Sequence, residues 1–198
     1  SFMETSRFEQ QMRFLVEIDQ MKNVLRQTLL ADGSRRESDA EHSWHLAMYA
    51  MLLSEYAPEP VDISRVVRMV LVHDLIEIYA GDTFCYDKEG NRDKAAREAA
   101  AADRLYALLP ADQAGEYRAL WEEFDRMDTP DSRFAAALDR IQPIINNYLT
   151  KGHTWKLGHV TSAQVYERMA PVKSGLPEAW KVVEWIINTS IEKGFLQP

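Results

Sequence analysis

Two histidines and two aspartates stand within segments of this 198-residue sequence that are otherwise apolar. His73 and Asp74 are neighbours in the segment VVRMVLVHDLIEI, whose valines, leucines and isoleucines recur at helical spacing. His42 begins a second such segment, and Asp139 lies on the inward-facing side of a third. A buried carboxylate without a partner is costly, so these side chains need one. One divalent cation would satisfy all four, and two imidazoles with two carboxylates suit Mn, Co, Fe, Ni or Zn better than Mg.

The elements that must position these residues are predicted to be helices, because no convincing strand alternation is present. Ser38 and Glu41 fit a capping box, and Thr129 followed by Pro130 fits a helix start. The irregular segment 81–91 follows the third helix directly, where it could line a site. We place the helices at roughly 7–29, 39–56, 63–79, 92–108, 112–126, 131–150, 161–171 and 177–192.

Length and composition predict one domain spanning residues 1–198, with 46% hydrophobic and 27% charged residues. The formal net charge of −8 argues against a general nucleic-acid binder, because phosphate backbones attract basic surfaces. Cys85 is the only cysteine, so an intrachain disulfide is excluded. No apolar run reaches the roughly 18 residues of a membrane span, and the first residues lack a signal peptide's apolar core. We therefore expect a cytoplasmic protein without membrane or nucleic-acid partners.

The order His, then His-Asp, then Asp resembles the signature of the HD-domain phosphohydrolases. The similarity to the 5′-deoxynucleotidase branch rests on four segments: Arg35–Trp44, Leu71–Glu77, Gly81-Asp82 and Leu138-Asp139. The resemblance extends over residues 14–149, and residues 151–198 are expected to form a helical extension packed on that part. It implies an all-α fold, a compact multi-helix bundle with a mononuclear metal site in its core.

Carried over by position, the resemblance implies a role for eight residues. The metal ligands would be His42, His73, Asp74 and Asp139, the catalytic acids Glu77 and Asp82, and the substrate-binding arginines Arg26, from the first helix, and Arg35. Simpler readings remain open, since Glu77 could be a helix ion-pair partner, Asp82 a turn residue and Arg26 a solvated charge. No histidine occurs between Asp74 and Asp139, which favours one metal ion over two.

The implied reaction removes the 5′-phosphate from a (deoxy)nucleoside monophosphate, a small-molecule substrate. The ion would polarise the phosphate and activate water, and Glu77 would orient that water or take its proton. Arg26 would neutralise the phosphate, while Asp82 would contact the sugar or protonate the leaving oxygen. The alternatives are a nucleoside triphosphate or pyrophosphate hydrolase on the same fold, and a non-catalytic metal-bearing regulatory or binding module. The resemblance also suggests a homodimer.

Overall fold

The computed structural model describes residues 6–198 and consists of helices with one small hairpin; residues 1–5 of the expected domain lie outside the described part. The two strands are β1, Leu25–Leu29, and β2, Arg36–Ser38. The helices are α1 Arg7–Glu17, α2 Asp39–Leu53, α3 Ile63–Val72, α4 Glu77–Ala80, α5 Lys94–Tyr106, α6 Ala111–Arg126, α7 Pro130–Leu149, α8 His153–Leu157, α9 Ser162–Gly175 and α10 Trp180–Glu192. Short 3-10 turns cover Ile18–Asn23, Ser54–Tyr56 and Pro177–Ala179. The all-α prediction is confirmed, because the single hairpin is a minor addition to the bundle.

The predicted helix over residues 7–29 is wrong in its second half. It ends at Glu17, a 3-10 turn follows, and the chain then forms β1, which pairs antiparallel with β2. The guanidinium of Arg36 donates to the carbonyl oxygens of Arg26 and Leu25, which adds to the hairpin hydrogen bonds. Strand pairing with residues ten positions away thus overrides the local helical periodicity, and Arg26 lies on a strand.

The start of α2 confirms the predicted capping box. The Ser38 hydroxyl accepts from the Glu41 amide, and the Glu41 carboxylate accepts from the Ser38 amide. Thr129 caps α7 with Pro130 at its first position, as predicted.

The predicted 63–79 helix is interrupted, since α3 ends at Val72 and residues 73–76 form turns before α4. His73 and Asp74 therefore lie at a helix end, where the backbone can direct both side chains to one side.

Helix α7 lies at the centre of the bundle and contacts α2, α3, α6, α9 and α10. Its residues 134–138 are fully buried, and the small side chains of Ala135, Ala136 and Ala137 allow neighbouring helices to approach closely. Residues after Lys151 pack on α7 through α8, α9 and α10. Within residues 6–198, none of the helices is long and apolar enough to cross a membrane.

Candidate metal centre

Three helices bring the four predicted metal ligands together in the core. His42 projects from α2, His73 and Asp74 follow α3, and Asp139 projects from α7. The Asp139 Oδ1 atom lies 2.8 Å from His42 Nε2 and 3.3 Å from His73 Nε2. These three ligand atoms lie within 4.8 Å of one another, and Asp74 Oδ2 is 3.1 Å from His73 Nε2. The ligand atoms of His42, His73 and Asp139 thus surround one point that a single ion could occupy, and Asp74 lies beside them.

Hydrogen bonds to the other nitrogen of each ring orient the two imidazoles. His73 Nδ1 donates to the Val70 carbonyl oxygen at 2.6 Å, and the buried His73 Nε2 has no hydrogen-bond partner among the described residues. His42 Nδ1 donates to Gln142 Oε1 at 2.9 Å, while the Gln142 amide donates to Glu37 at 2.8 Å. Each ring therefore directs the lone pair of Nε2 at carboxylate oxygens. Acceptors that face each other in this way are typical of metal ligands held by a second layer of hydrogen bonds.

The charges of the cluster favour a bound cation. Burial opposes protonation of His73, yet the carboxylates of Asp74 and Asp139 raise its pKa well above the usual value. Burial also opposes ionisation of Asp139, yet the neighbouring imidazoles of His42 and His73 hold its pKa well below the usual value. Ionised carboxylates facing two imidazoles make this point strongly attractive for positive charge. A divalent ion fits this donor set, because it can replace protons that the ligands would otherwise hold.

Beside the four ligands lies a second group of acids. Ligand oxygens of Asp39, Glu77 and Asp82 lie within 4.8 Å of one another. Gly81 follows α4 with a φ of 80°, a conformation that favours glycine. The chain therefore turns at Gly81, immediately before Asp82. Burial raises the pKa of Asp39 to about 7, and burial with the charge of Asp74 raises that of Glu77. Burial also raises the pKa of Asp82.

Arg26 links the acidic group to the metal ligands from its position on β1. Its Nη1 atom lies 3.8 Å from Asp74 Oδ2 and 3.9 Å from oxygens of Asp39 and Asp82. Its Nε atom lies 3.2 Å from the buried Glu37. The surrounding carboxylates raise the pKa of Arg26 although its burial opposes this, so the guanidinium is a permanent positive charge within the cluster.

Arg35 lies apart from this cluster, although the resemblance pairs it with Arg26. It is exposed near the hairpin turn and forms a bidentate ion pair with Glu41. Its side chain is absent from the described lining of the cleft around the ligands. The structure thus brings together seven of the eight predicted residues and leaves Arg35 on the surface.

A cleft connects the ligands with solvent. Its walls combine aromatic, basic and acidic side chains, among them Phe84, Tyr86, Lys94, Glu98, Trp121, Phe124, Asp125, Trp155 and Arg168. The Phe124 ring packs against His73 with centroids 4.6 Å apart, and the buried Trp155 also belongs to the lining. Trp121 and Phe124 of α6 are therefore part of the cleft wall.

Four residues at the site were not predicted from the sequence. Gln142 follows Asp139 by three residues, and Asp39 precedes His42 by three, so helical spacing to a ligand is a signal for both. Arg140 directly follows Asp139 and donates to its Oδ2 atom at 2.8 Å. For Arg168 no such signal exists, because its place in the cleft depends on how α9 packs against α7.

Comparisons with known proteins identify the family to which this chain belongs. The HD domain family matches residues 18–180. The human 5′-deoxynucleotidase HDDC2 is 30% identical over 135 residues, which cover 68% of this chain and 65% of the human protein. The 5′-deoxynucleotidase hdd1 of Schizosaccharomyces pombe is 25% identical over 136 residues, 66% of this chain and 67% of the yeast protein. The chain thus spans slightly less than two thirds of the human relative's length.

Two solved structures extend the comparison to the whole chain. A crystal structure described as a predicted metal-dependent phosphohydrolase from Magnetospirillum magnetotacticum is 51% identical, with a TM-score of 0.93, and the match covers 98% of this chain and 97% of that one. An HD-domain phosphohydrolase from Listeria innocua is 17% identical, with a TM-score of 0.61 and coverage of 93% and 95%. At that identity the second likeness shows the shared fold alone.

Proposed function

Because the chain belongs to the HD domain family, we propose that it is a metal-dependent phosphohydrolase that removes the 5′-phosphate from (deoxy)nucleoside monophosphates. The observation on which this rests is the cluster of His42, His73 and Asp139, with Asp74 beside it, next to a cleft that further acids and an arginine also line. The names of the human and yeast relatives support a nucleoside monophosphate as substrate. The description of the Magnetospirillum neighbour supports the dependence on a metal.

Four residues would hold the ion: His42 and His73 through Nε2, Asp74 and Asp139 through carboxylate oxygens. When bound, the ion supplies the Lewis-acid charge that polarises the phosphate and makes water a better nucleophile. The mixture of nitrogen and oxygen ligands favours Mn, Co, Fe, Ni or Zn, with Mg also possible. The buried hydrogen bonds to the two rings keep these nitrogens directed at one point before the ion arrives.

Two acids of the cleft would accept and donate the protons that the reaction transfers. The buried Glu77 Oε2 atom has no hydrogen-bond partner among the described residues, so it is free to accept a proton from the attacking water. Asp82 lies in the same acidic group and lines the cleft, where its carboxyl could protonate the leaving 5′-oxygen or contact the sugar. Arg26 would oppose the negative charge of the phosphate as the P–O bond breaks. The pairing of Arg35 with Glu41 gives no support to a contact between Arg35 and the substrate.

The proposal is tested by phosphate release from nucleoside mono-, di- and triphosphates with Mn or Co present. We expect the wild type to release phosphate from the monophosphates, and Asp74→Ala to abolish the release together with metal binding. Asp112→Ala is the matched control, because Asp112 is exposed and pairs with Arg7 outside the cleft. Release of diphosphate or triphosphate would favour the alternative hydrolase. A wild type that binds metal but hydrolyses none of these nucleotides would favour a binding or regulatory module.

We also propose that the chain forms a homodimer in the cytoplasm and that residues 1–198 form one domain. Support for the dimer comes from α2, where the large apolar side chains of Trp44, Met48, Met51 and Leu52 are exposed at helical spacing. Such a face is covered when two copies associate through it. Support for one domain comes from the packing of α9 and α10 on the central α7.

A further inference from the structure

Arg140 is a buried cation whose hydrogen-bonding capacity is only partly used. Its side chain is 13% exposed, and Nη1 donates to Asp139 Oδ2 at 2.8 Å. Its buried Nε atom has no hydrogen-bond partner among the described residues. A guanidinium has five N–H donors, and leaving buried donors unpaired is costly. Arg140, which lines the cleft, therefore has an unpaired donor directly beside a proposed metal ligand.

Arg168 brings a second positive charge to the same part of the cleft. It lines the cleft from α9 and makes none of the ion pairs found in residues 6–198. Arg140 lines the same cleft from α7, so the cleft contains both guanidinium groups. Tyr86 also belongs to this lining. Arg168 thus has no acidic partner within 4 Å among the described residues, and the acidic partner of Arg140 is the proposed metal ligand Asp139. Cations of this kind in a cleft are typical of a site for an anion.

The packing of α9 on α7 holds the two arginines in this relation. At Gly175 of α9, an added Cβ would overlap the carbonyl oxygen of Arg133 and press on Ala137 of α7. The helices therefore meet backbone against backbone at this contact, seven residues along α9 from Arg168. Such close packing leaves little freedom for α9 to slide, so the position of Arg168 relative to Arg140 is set by the fold.

We infer that Arg140 and Arg168 form an anion-binding subsite beside Asp139 that receives the phosphate group of the substrate. Arg26 is less suited to this task alone, because its guanidinium already lies within 4 Å of four carboxylates. The Arg140–Arg168 subsite instead combines two cations with the single carboxylate of Asp139, which is shared with the proposed ion. The inference rests on the proposed function for the identity of the substrate, but binding of a phosphate group can be measured without hydrolysis.

The experiment compares Arg168→Gln, Arg140→Gln and the control Arg133→Gln in the metal-loaded protein. Arg133 lies on α7 two turns before Arg140 and pairs with Glu59 outside the cleft. Inorganic phosphate is titrated calorimetrically, metal content is determined, and KM and kcat are measured with a nucleoside monophosphate. We expect each cleft variant to bind phosphate at least about tenfold more weakly and to raise KM by a similar factor, because charge-assisted hydrogen bonds are lost. Metal content in Arg168→Gln should equal that of the wild type.

The outcomes separate this inference from the proposed function. Undiminished phosphate binding in Arg168→Gln, or no phosphate binding by the wild type, overturns the subsite even if the wild type hydrolyses monophosphates. Phosphate binding that is lost in Arg168→Gln and kept in Arg133→Gln supports the subsite even if no nucleotide is hydrolysed. Arg168 is only partly buried, so its variant tests the inference even if Arg140→Gln fails to fold.

Discussion

Replacing Gln142 with leucine tests whether the second layer of hydrogen bonds determines metal affinity. Gln142 is fully buried, accepts from His42 Nδ1 and donates to the Glu37 carboxylate. Leucine has a similar size but can do neither, so the imidazole of His42 loses the contact that fixes its orientation. Because Gln142 itself is none of the proposed metal or substrate ligands, any effect on the metal must pass through His42 or Glu37.

The size of the effect follows from these two hydrogen bonds. Leaving buried polar groups without partners costs about 1–3 kcal/mol each, so Gln142→Leu should lower the free energy of unfolding by a few kcal/mol. Loss of a hydrogen bond to a ligating imidazole typically reduces metal affinity by about 10- to 100-fold. Since a tenfold change in affinity corresponds to about 1.4 kcal/mol, saturating metal should also raise the stability of the variant less than that of the wild type.

The assay is calorimetric titration with Mn, combined with thermal unfolding with and without the metal. Asn146→Leu is the matched control, since Asn146 is a buried amide one turn further along α7 that donates to the Leu29 carbonyl. It should lose stability but keep its metal affinity. The reasoning is refuted if Gln142→Leu folds and binds Mn as tightly as the wild type, or if Asn146→Leu weakens Mn binding equally.

Two further predictions concern residues outside the cleft. Arg65 and Thr129 hold the pKa of Glu123 below its usual value although burial opposes this, so the stabilisation is present above the unfolded pKa of about 4.3 and is lost as the pH falls through the folded pKa. Glu123→Gln should therefore lower Tm at pH 7, and by progressively less as the pH falls below about 4 and through the folded pKa; an equal loss at every pH would contradict this. Trp44→Lys should convert the proposed dimer to a monomer in sedimentation, whereas a wild type that is already monomeric would refute the dimer.

The four proposed ligands could be found in the sequence because each conflicts with its surroundings. His42 and Asp139 stand at helical intervals from apolar residues of their own helices. Both side chains are buried in the structure. His73 and Asp74 interrupt an apolar helix in the same manner. A helical period of 3.6 residues is enough to assign such residues to an inward face, and polar groups on an inward face require partners. Tertiary structure was needed only to show that the three inward faces meet.

The hairpin could not be predicted in the same way. Residues 25–29 continue the apolar spacing of α1, and only pairing with residues 36–38 makes them a strand. This pairing is decided by contacts between segments, which local periodicity does not contain. Arg26 still reaches the site because the strand directs its guanidinium toward Glu37 and Asp74. The helix predicted around Arg26 was therefore wrong. The expectation that Arg26 lies near the ligands did not depend on that helix, because the resemblance assigned the residue by its position in the sequence.

Some residues of the site cannot be recognised from the sequence, because similar residues in the same sequence context are common on protein surfaces. Asp39 stands in the first turn of α2, where an acid is ordinary because it favours the helix dipole, and its complete burial is a tertiary fact. Arg168 resembles any surface charge in the sequence, and only the packing of α9 against α7 places it in the cleft. Polar residues inside apolar segments can thus be recognised from spacing alone. Polar residues on ordinary polar faces can be recognised as functional only when the packing of the helices is known, which makes Arg168 the residue whose substitution is most informative.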